Sequence, residues 1–217
     1  MRYLMLGGTL SCYVTYFLYM DADGFFIPFT NWTLMLTTIS LISSIQASKD
    51  TVNFGKDALQ TSDQAIYLQA RHHVLYTLSI VCNFIVMSFY WFMLRSEQQE
   101  IHGKHEDYGW GRSLHLELVH SLPGAACFIN ALCTNCILKK DNWKFITYMT
   151  IFYGTFCWAY YLITGTQQYS FLDFATGEAF KNLFWINLAS VVVYILFCSI
   201  DERIKPINEG GYILTYS

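Results

Sequence analysis

Long apolar runs alternate with short polar segments along the whole chain. A helix that crosses a lipid bilayer needs about 20 predominantly apolar residues, and six runs of roughly this length occur. They are Tyr3–Met20, Phe25–Ile45, His73–Leu94, Leu114–Leu138, Trp143–Ile163 and Ala179–Ile200. The pattern therefore predicts an all-α fold, a polytopic membrane protein built as a bundle of about six transmembrane helices.

The six runs are expected to form one domain that covers residues 1–217. Neither an internal repeat nor a Pro-rich or Ser-rich linker divides the chain. The first run is followed by the segment DADG rather than by a small-residue cleavage site, so we expect it to stay as a helix of the mature protein.

The distribution of Lys and Arg among the loops predicts an orientation. With six spans both termini lie on one side, and that side carries nine basic residues: Arg2, Lys49, Lys56, Arg71, Lys139, Lys140, Lys144, Arg203 and Lys205. The other side carries four: Arg95, Lys104, Arg112 and Lys181. The positive-inside rule therefore favours cytoplasmic termini.

The composition agrees with a membrane protein and argues against a nucleic-acid partner. Charged residues make up 13% of the chain, about half of the usual share near 25%. Aromatic residues reach 18%, as in proteins with rings at lipid–water interfaces. A net charge of −3 offers no basic footprint for nucleic acid. The seven cysteines fall almost entirely in apolar runs, which argues against a disulfide framework.

The stretch HLELVHSLPG, residues 115–124, places titratable side chains inside the fourth apolar run. Such groups are costly at membrane depth and usually serve a function. If the span begins near Leu114, His120 lies roughly 9 Å deep. If the second span begins near Phe25, Thr30 lies roughly 7–8 Å deep. Both spans enter from the same side, so the two side chains are expected at one level, although this does not show that the helices touch.

Pro123 predicts a local opening of the fourth helix. Proline has no N–H, so the carbonyl of Val119 loses its helical partner, and freed backbone groups in lipid need protein or water partners. We therefore expect a kink and a small polar cavity, with space left by Gly124 and Ala125. The alternative is a packing kink in which His120 bonds to a neighbouring hydroxyl.

A metal site on this helix is not expected. His115 and His120 are five residues apart, which turns them by about 140° around the helix, so they do not ligate one ion. Glu117 and His120 do share a face, but a site would need ligands from other helices, such as His72 or His73. We expect His115 near the headgroups, where it is easily solvated, and we expect no cofactor.

Three segments carry a resemblance to a known family. They are Phe29-Thr30-Asn31-Trp32, Val119-His120-Ser121-Leu122-Pro123, and the sequence WAYYLITG at 158–165 followed by YSFLD at 169–173. In order and length, the chain resembles the androgen-induced protein (FAR-17a) family, which includes the androgen-dependent TFPI-regulating protein. It is also distantly similar to the rolling stone proteins.

The resemblance implies an intramembrane threonine hydrolase of fatty acyl esters, such as fatty acid esters of hydroxy fatty acids. Thr30 would be the nucleophile and His120 the general base. The family places Asp or Glu where this chain has Asp173, so Asp173 and the neighbouring Glu117 are candidates to orient the imidazole. The family often has a further histidine where this chain has Glu117.

Several points stay open at the level of sequence. Asn31 or a backbone N–H near Pro28 is expected to serve as the oxyanion donor. Membrane lipids and a lipid ester are the expected partners, in the endoplasmic reticulum, the plasma membrane or the mitochondrial inner membrane. One alternative is a non-catalytic, lipid-binding subunit with membrane protein partners, for example in a respiratory complex. A transporter, a channel or a metal-dependent enzyme is a third.

Overall fold

A computed structural model describes residues 1–20, 28–61, 63–96, 98, 100, 109–134 and 137–205. Within these ranges the chain forms six α-helices and no strand, which confirms the all-α prediction. The helices are α1 (Arg2–Tyr19), α2 (Phe29–Thr61), α3 (Asp63–Phe89), α4 (Gly109–Leu132), α5 (Trp143–Thr164) and α6 (Glu178–Ile204). A π-helical turn, Tyr90–Leu94, extends α3, and a 3₁₀ turn, Lys140–Asn142, leads into α5.

Some predicted helix bounds are wrong. The helix α2 continues to Thr61 and α3 begins at Asp63, so the polar residues between the second and third apolar runs are largely helical. The helix α4 begins at Gly109 and ends at Leu132, several residues before the predicted bounds at both ends. Hydropathy marks only the apolar part of a helix, whereas Ala, Gln and Lys continue it into polar sequence. The predicted start at Phe25 lies outside the described residues.

Two segments in the described part of the chain are long and apolar enough to cross a membrane. They are Ala70–Phe92 and Glu178–Ile204. The remaining helices contain more Thr, Ser, Gly and Tyr, or His and Arg, which lowers their hydropathy. Helices therefore form at all six predicted positions, and two of them meet the length and composition of a membrane span.

Consecutive helices run in opposite directions, so the bundle has two ends. At one end, which we call the Thr30 end, α2, α4 and α6 begin; at the other, the His73 end, α1, α3 and α5 begin. Arg2 ties the His73 end together, donating to Asn130 Oδ1 at 3.1 Å and to Ser48 Oγ at 2.6 Å. The Thr30 end is tied by Thr15 Oγ1, 2.9 Å from His115 Nδ1.

The helix α2 presents a stripe of hydroxyl side chains to its neighbours. Asn83 of α3 donates to Thr37 Oγ1 at 2.6 Å, and Thr37 donates in turn to the carbonyl of Thr33. Buried polar groups that are satisfied in this way fix how two helices sit against each other. Beside the stripe, Cys12, Leu34 and Val119 form an apolar cluster that joins α1, α2 and α4. Together these contacts hold the beginning of α2 against the middle of α4.

Candidate active site

The structure brings Thr30 and His120 into contact. Thr30 Oγ1 lies 3.0 Å from His120 Nε2, and the two residues are 8% and 9% exposed. Thr30 is the second residue of α2, whereas His120 comes eleven residues after the start of α4, roughly 16 Å along that helix. The side chains therefore share a level because α4 begins beyond the start of α2, not because they lie equally deep in their own helices.

The second ring nitrogen of His120 fixes the tautomer. Nδ1 lies 2.6 Å from the carbonyl oxygen of Leu116, and a carbonyl accepts only, so Nδ1 carries the proton. In the neutral imidazole Nε2 then carries a lone pair, and the Thr30 hydroxyl donates a hydrogen bond to it. This is the direction of hydrogen bonding that general-base activation of a hydroxyl requires.

Tyr90 packs against the ring face of His120. Its ring stacks on the His120 ring with centroids 3.8 Å apart and an angle of 7° between the planes, and Tyr90 is completely buried. It is the first residue of the π-helical turn at the end of α3, and such turns are frequent at functional sites. We did not predict Tyr90 as a site residue, because a tyrosine in an apolar run carries no sequence signal of this contact.

Thr30 and His120 open into a cavity of about 470 Å³, within the range of roughly 300–1,000 Å³ that is typical of ligand pockets. Its apolar lining includes Phe29, Ile85, Val86, Phe89, Leu116, Val119, Ile146, Met149, Leu172, Leu183 and Ile186. Its polar lining includes Tyr16, Thr30, Asn31, Tyr90, Gln98, Arg112, His115, His120, Thr150, Tyr153, Gln168 and Tyr169. An apolar chamber with a few convergent polar groups suits a ligand with a long apolar part and one polar group.

The loop between α5 and α6 holds the first turn of α2. The backbone N–H of Phe29 donates to the hydroxyl of Tyr169 at 3.1 Å. The first N–H groups of a helix have no partner within the helix, so Tyr169 satisfies one of them beside Thr30. Burial raises the pKa of Tyr169, which keeps its hydroxyl protonated. The Phe29 ring also lies 4.6 Å from the ring of Tyr153, which further anchors this turn.

Glu117 does not take the position that we predicted for it. Its carboxylate accepts from Arg95 at 2.7 Å in a surface ion pair, with side chains 40% and 47% exposed. An ionised carboxylate is costly to bury, and Glu117 turns outward although it lies three residues before His120. The prediction that Glu117 orients the imidazole is therefore wrong, since the group on Nδ1 is the Leu116 carbonyl.

Asp173 organises the loop rather than the imidazole. Its carboxylate accepts from Gln167, from the N–H groups of Ala175 and Thr176, and from the Thr176 hydroxyl at 2.8 Å. These hydrogen bonds, with that from the Thr176 hydroxyl first, hold the pKa of Asp173 below its ordinary value. Asp173 is linked to the site through the loop that it organises, because the same loop carries Tyr169.

Two further expectations need correction. His115 is 2% exposed rather than solvated, because Thr15 bonds its ring and Tyr16 packs edge-on against it at 5.4 Å. Gly124 does not open the cavity; its space is filled by Met87, so it lets α3 and α4 approach closely. Within the described residues, no group of three His, Cys, Asp or Glu side chains is placed to hold a metal ion.

The backbone N–H groups expected to bind an oxyanion are partly engaged. The N–H of Asn31 donates to the carbonyl of Pro28 at 3.1 Å, and that of Phe29 to Tyr169. The side chain of Asn31, a residue 3% exposed, lines the cavity beside Thr30. The Asn31 amide therefore stays a candidate oxyanion donor.

Comparison with known proteins adds no assignment to this geometry. The chain matches no family model, no curated protein and no solved structure.

Proposed function

We propose that this protein is an intramembrane threonine hydrolase that cleaves fatty acyl esters. The observation that carries the proposal is the 3.0 Å contact between Thr30 Oγ1 and His120 Nε2 at the wall of an apolar cavity. The Leu116 carbonyl supports the assignment, because it keeps the proton on Nδ1 and leaves Nε2 free to accept one. The family resemblance of these segments points to the same two residues.

In the proposed reaction, Thr30, His120 and Asn31 each take one role in ester cleavage. His120 Nε2 takes the Thr30 hydroxyl proton while Oγ1 attacks the acyl carbonyl carbon, and the Asn31 amide donates to the resulting oxyanion. The tetrahedral intermediate collapses, and the imidazolium protonates the departing alkoxide. Water, deprotonated by Nε2, then attacks the acyl–Thr30 ester, which releases the fatty acid and restores the hydroxyl.

The outer surface supports a location within a bilayer. Large apolar side chains are exposed along α1, α5 and α6, among them Leu4, Val14, Phe17, Ile151, Leu162, Ile163, Phe184, Trp185, Leu188 and Leu196. Water-soluble monomers seldom expose apolar patches of this extent. We therefore propose six membrane spans with cytoplasmic termini, in the endoplasmic reticulum or plasma membrane, and a substrate that arrives laterally from the lipid.

The natural substrate class that we propose is the fatty acid ester of a hydroxy fatty acid. The cavity suits such an ester because most of its lining is apolar, and Thr30, Asn31 and His120 are among the polar groups in its wall. No cofactor enters the proposed reaction, since a hydroxyl, an imidazole and water complete the cycle.

Ester hydrolysis by purified protein in lipid nanodiscs tests this proposal. Thr30→Ala should abolish turnover, and Thr30→Ser should retain part of it because a hydroxyl remains. Thr9→Ala is the matched control, because Thr9 is also buried but donates its hydroxyl to the Leu6 carbonyl of its own helix. Undiminished turnover in Thr30→Ala would reject Thr30 as the nucleophile.

A lipid-binding subunit without catalysis is the second candidate. The exposed aromatic residues Phe180, Phe184 and Trp185 on α6 favour it, since such rings often pack against a membrane partner. In that case the protein would copurify with intact lipid ester, and Thr30→Ala would change neither the ester nor its amount.

A further inference from the structure

The stacking of Tyr90 on His120 differs from the other histidine–aromatic pairs in the described structure. The His120 pair is almost parallel, with centroids 3.8 Å apart, whereas Tyr16 meets His115 edge-on and Tyr76 lies 6.1 Å from His72. Neutral rings prefer offset or edge-to-face arrangements, with centroids roughly 4.5–7 Å apart. A cation gains most directly over a ring face. The His120 pair therefore has the geometry in which the Tyr90 ring face would attract the imidazole once it is protonated.

Both ring nitrogens of His120 are already engaged. The Thr30 hydroxyl lies on Nε2 and the Leu116 carbonyl on Nδ1, so a carboxylate has no ring nitrogen left to contact. In Ser-His-Asp sites a buried carboxylate stabilises the imidazolium that forms during acyl transfer. Here the two candidate carboxylates are committed elsewhere, Glu117 to Arg95 and Asp173 to its own loop.

We propose that Tyr90 is a positioning residue whose ring face holds the His120 imidazole against Thr30 and stabilises the imidazolium formed when Thr30 gives up its proton. This rests on the proposed function, because only a base that becomes protonated needs such support. Tyr90 is 0% exposed, and cation–π attraction is strongest where water is excluded. The ring thus performs the electrostatic part of the role that a carboxylate has in other hydrolases.

Other titratable groups share the cavity with His120. From α1, α3, α4, α5 and the following loop they are Tyr16, Cys82, Arg112, His115, Tyr153 and Tyr169. The cavity-lining residues of α2 and α6 contribute none. Every Tyr90 variant keeps these six titratable groups. A difference in the His120 titration between variants with and without a ring at position 90 therefore reports the effect of that ring.

Paired variants separate the ring from the hydroxyl. Tyr90→Phe keeps the ring face and is the reference against which the variants without a ring are compared. Tyr90→Leu and Tyr90→Met remove the ring face, and their plateau rate should lie about tenfold below that of Tyr90→Phe. The acid limb of the pH–rate profile should move about one unit lower, because an unsupported imidazole is harder to protonate. A merely structural role predicts a slower enzyme with an unmoved acid limb.

Histidine NMR decides the proposal independently of turnover. Protein labelled with ¹³C in its histidine rings is titrated in nanodiscs in the Thr30→Ala background, and the His120 signal is identified by its loss in His120→Gln. A lower midpoint in Tyr90→Leu or Tyr90→Met than in Tyr90→Phe supports the proposal, and equal midpoints overturn it. Tyr90→Met, whose flexible side chain fills irregular space, is the second variant without a ring if Tyr90→Leu does not fold. Missing ester turnover in wild type would instead reject the proposed hydrolase, whatever the midpoints.

Discussion

His120 at the Thr30 end and His73 at the other end both form hydrogen bonds through two ring nitrogens. Of the two, only His120 contacts a hydroxyl, that of Thr30. His73 Nε2 donates to the Ile137 carbonyl at 2.7 Å, and Nδ1 accepts from the Asn142 amide at 2.8 Å. His120 meets a carbonyl on one side and the Thr30 hydroxyl on the other. The difference lies at the ring nitrogen that accepts a hydrogen bond: the Asn142 amide donates to it in His73, and the Thr30 hydroxyl donates to it in His120.

The surroundings of the two histidines differ in the same way. His120 lies on the wall of the cavity, whereas His73 is not among the residues that line it. Around His73 the contacts close the end of the bundle: Leu138 donates to Asp201, and Tyr194 donates to the Lys139 carbonyl at 2.6 Å. Of these two histidines, only His120 combines a hydroxyl on one ring nitrogen with open cavity space, and this combination makes it the candidate base.

Matched changes at the two histidines should give the largest contrast. His120→Gln should lower ester turnover by about 10³-fold or more, because no base remains for the Thr30 hydroxyl. His73→Gln should leave turnover per folded molecule near wild type, and should lower stability by about 1–2 kcal/mol through lost hydrogen bonds. Turnover and thermal unfolding in nanodiscs, measured on both variants, check the contrast. Equal loss of turnover in both would remove the distinction between the two ends.

The next largest effect should come from the tyrosine that caps α2. Tyr169→Phe leaves the Phe29 N–H without its acceptor, and a small displacement of Thr30 should lower kcat about 10- to 100-fold. Tyr194→Phe is the control. It removes the hydrogen bond that the Tyr194 hydroxyl donates to the Lys139 carbonyl at the His73 end, and it should lower stability rather than kcat. If Tyr169→Phe alters only thermal stability, the loop does not position the nucleophile.

A smaller effect is expected at Asp173, and it depends on pH. Because its folded pKa is depressed, its contribution to stability is present above the unfolded pKa, about 3.9, and is lost as the pH falls through the folded value. The difference in Tm between wild type and Asp173→Asn should stay constant from about pH 7 to 5 and shrink below about pH 4. A difference that is unchanged below pH 4 would show that the charge of Asp173 does not hold the loop.

The smallest effect should follow from Glu117→Gln. Its ion pair with Arg95 is solvent-exposed, and such pairs contribute about 0–1 kcal/mol. Turnover should stay within about twofold of wild type at every pH. A loss comparable to that of His120→Gln would mean that Glu117 turns inward when substrate binds.

The family resemblance paired Thr30 with His120, and reasoning from the residues placed the two at one level but failed on what surrounds them. A polar residue in an apolar run is visible in a sequence, and helix rise places two such residues at one level. The helix start behind that estimate was wrong for α4, which begins at Gly109 rather than near Leu114; the start used for the second span, Phe25, lies outside the described residues. The two side chains nevertheless lie at one level of the bundle, as the contact between Thr30 Oγ1 and His120 Nε2 shows.

The supporting groups could not be predicted because their contacts are distant in sequence or depend on side-chain direction. Tyr169 meets Phe29 across 140 positions, and Tyr90 stacks on His120 only because the π-helical turn places it there. Glu117 shares a helix face with His120, yet a shared face does not determine whether a carboxylate turns inward or toward Arg95. The Nδ1 partner, a backbone carbonyl, has no sequence signature.

Covalent labelling with a fluorophosphonate probe tests directly whether His120 activates Thr30. The hydroxyl would displace fluoride and form a Thr30 O–P bond, which peptide mass spectrometry locates. We expect the adduct on Thr30 in wild type and in His73→Gln, and its loss in His120→Gln. An adduct on another residue, or equal labelling of Thr30 with and without the His120 imidazole, would contradict the proposed pair.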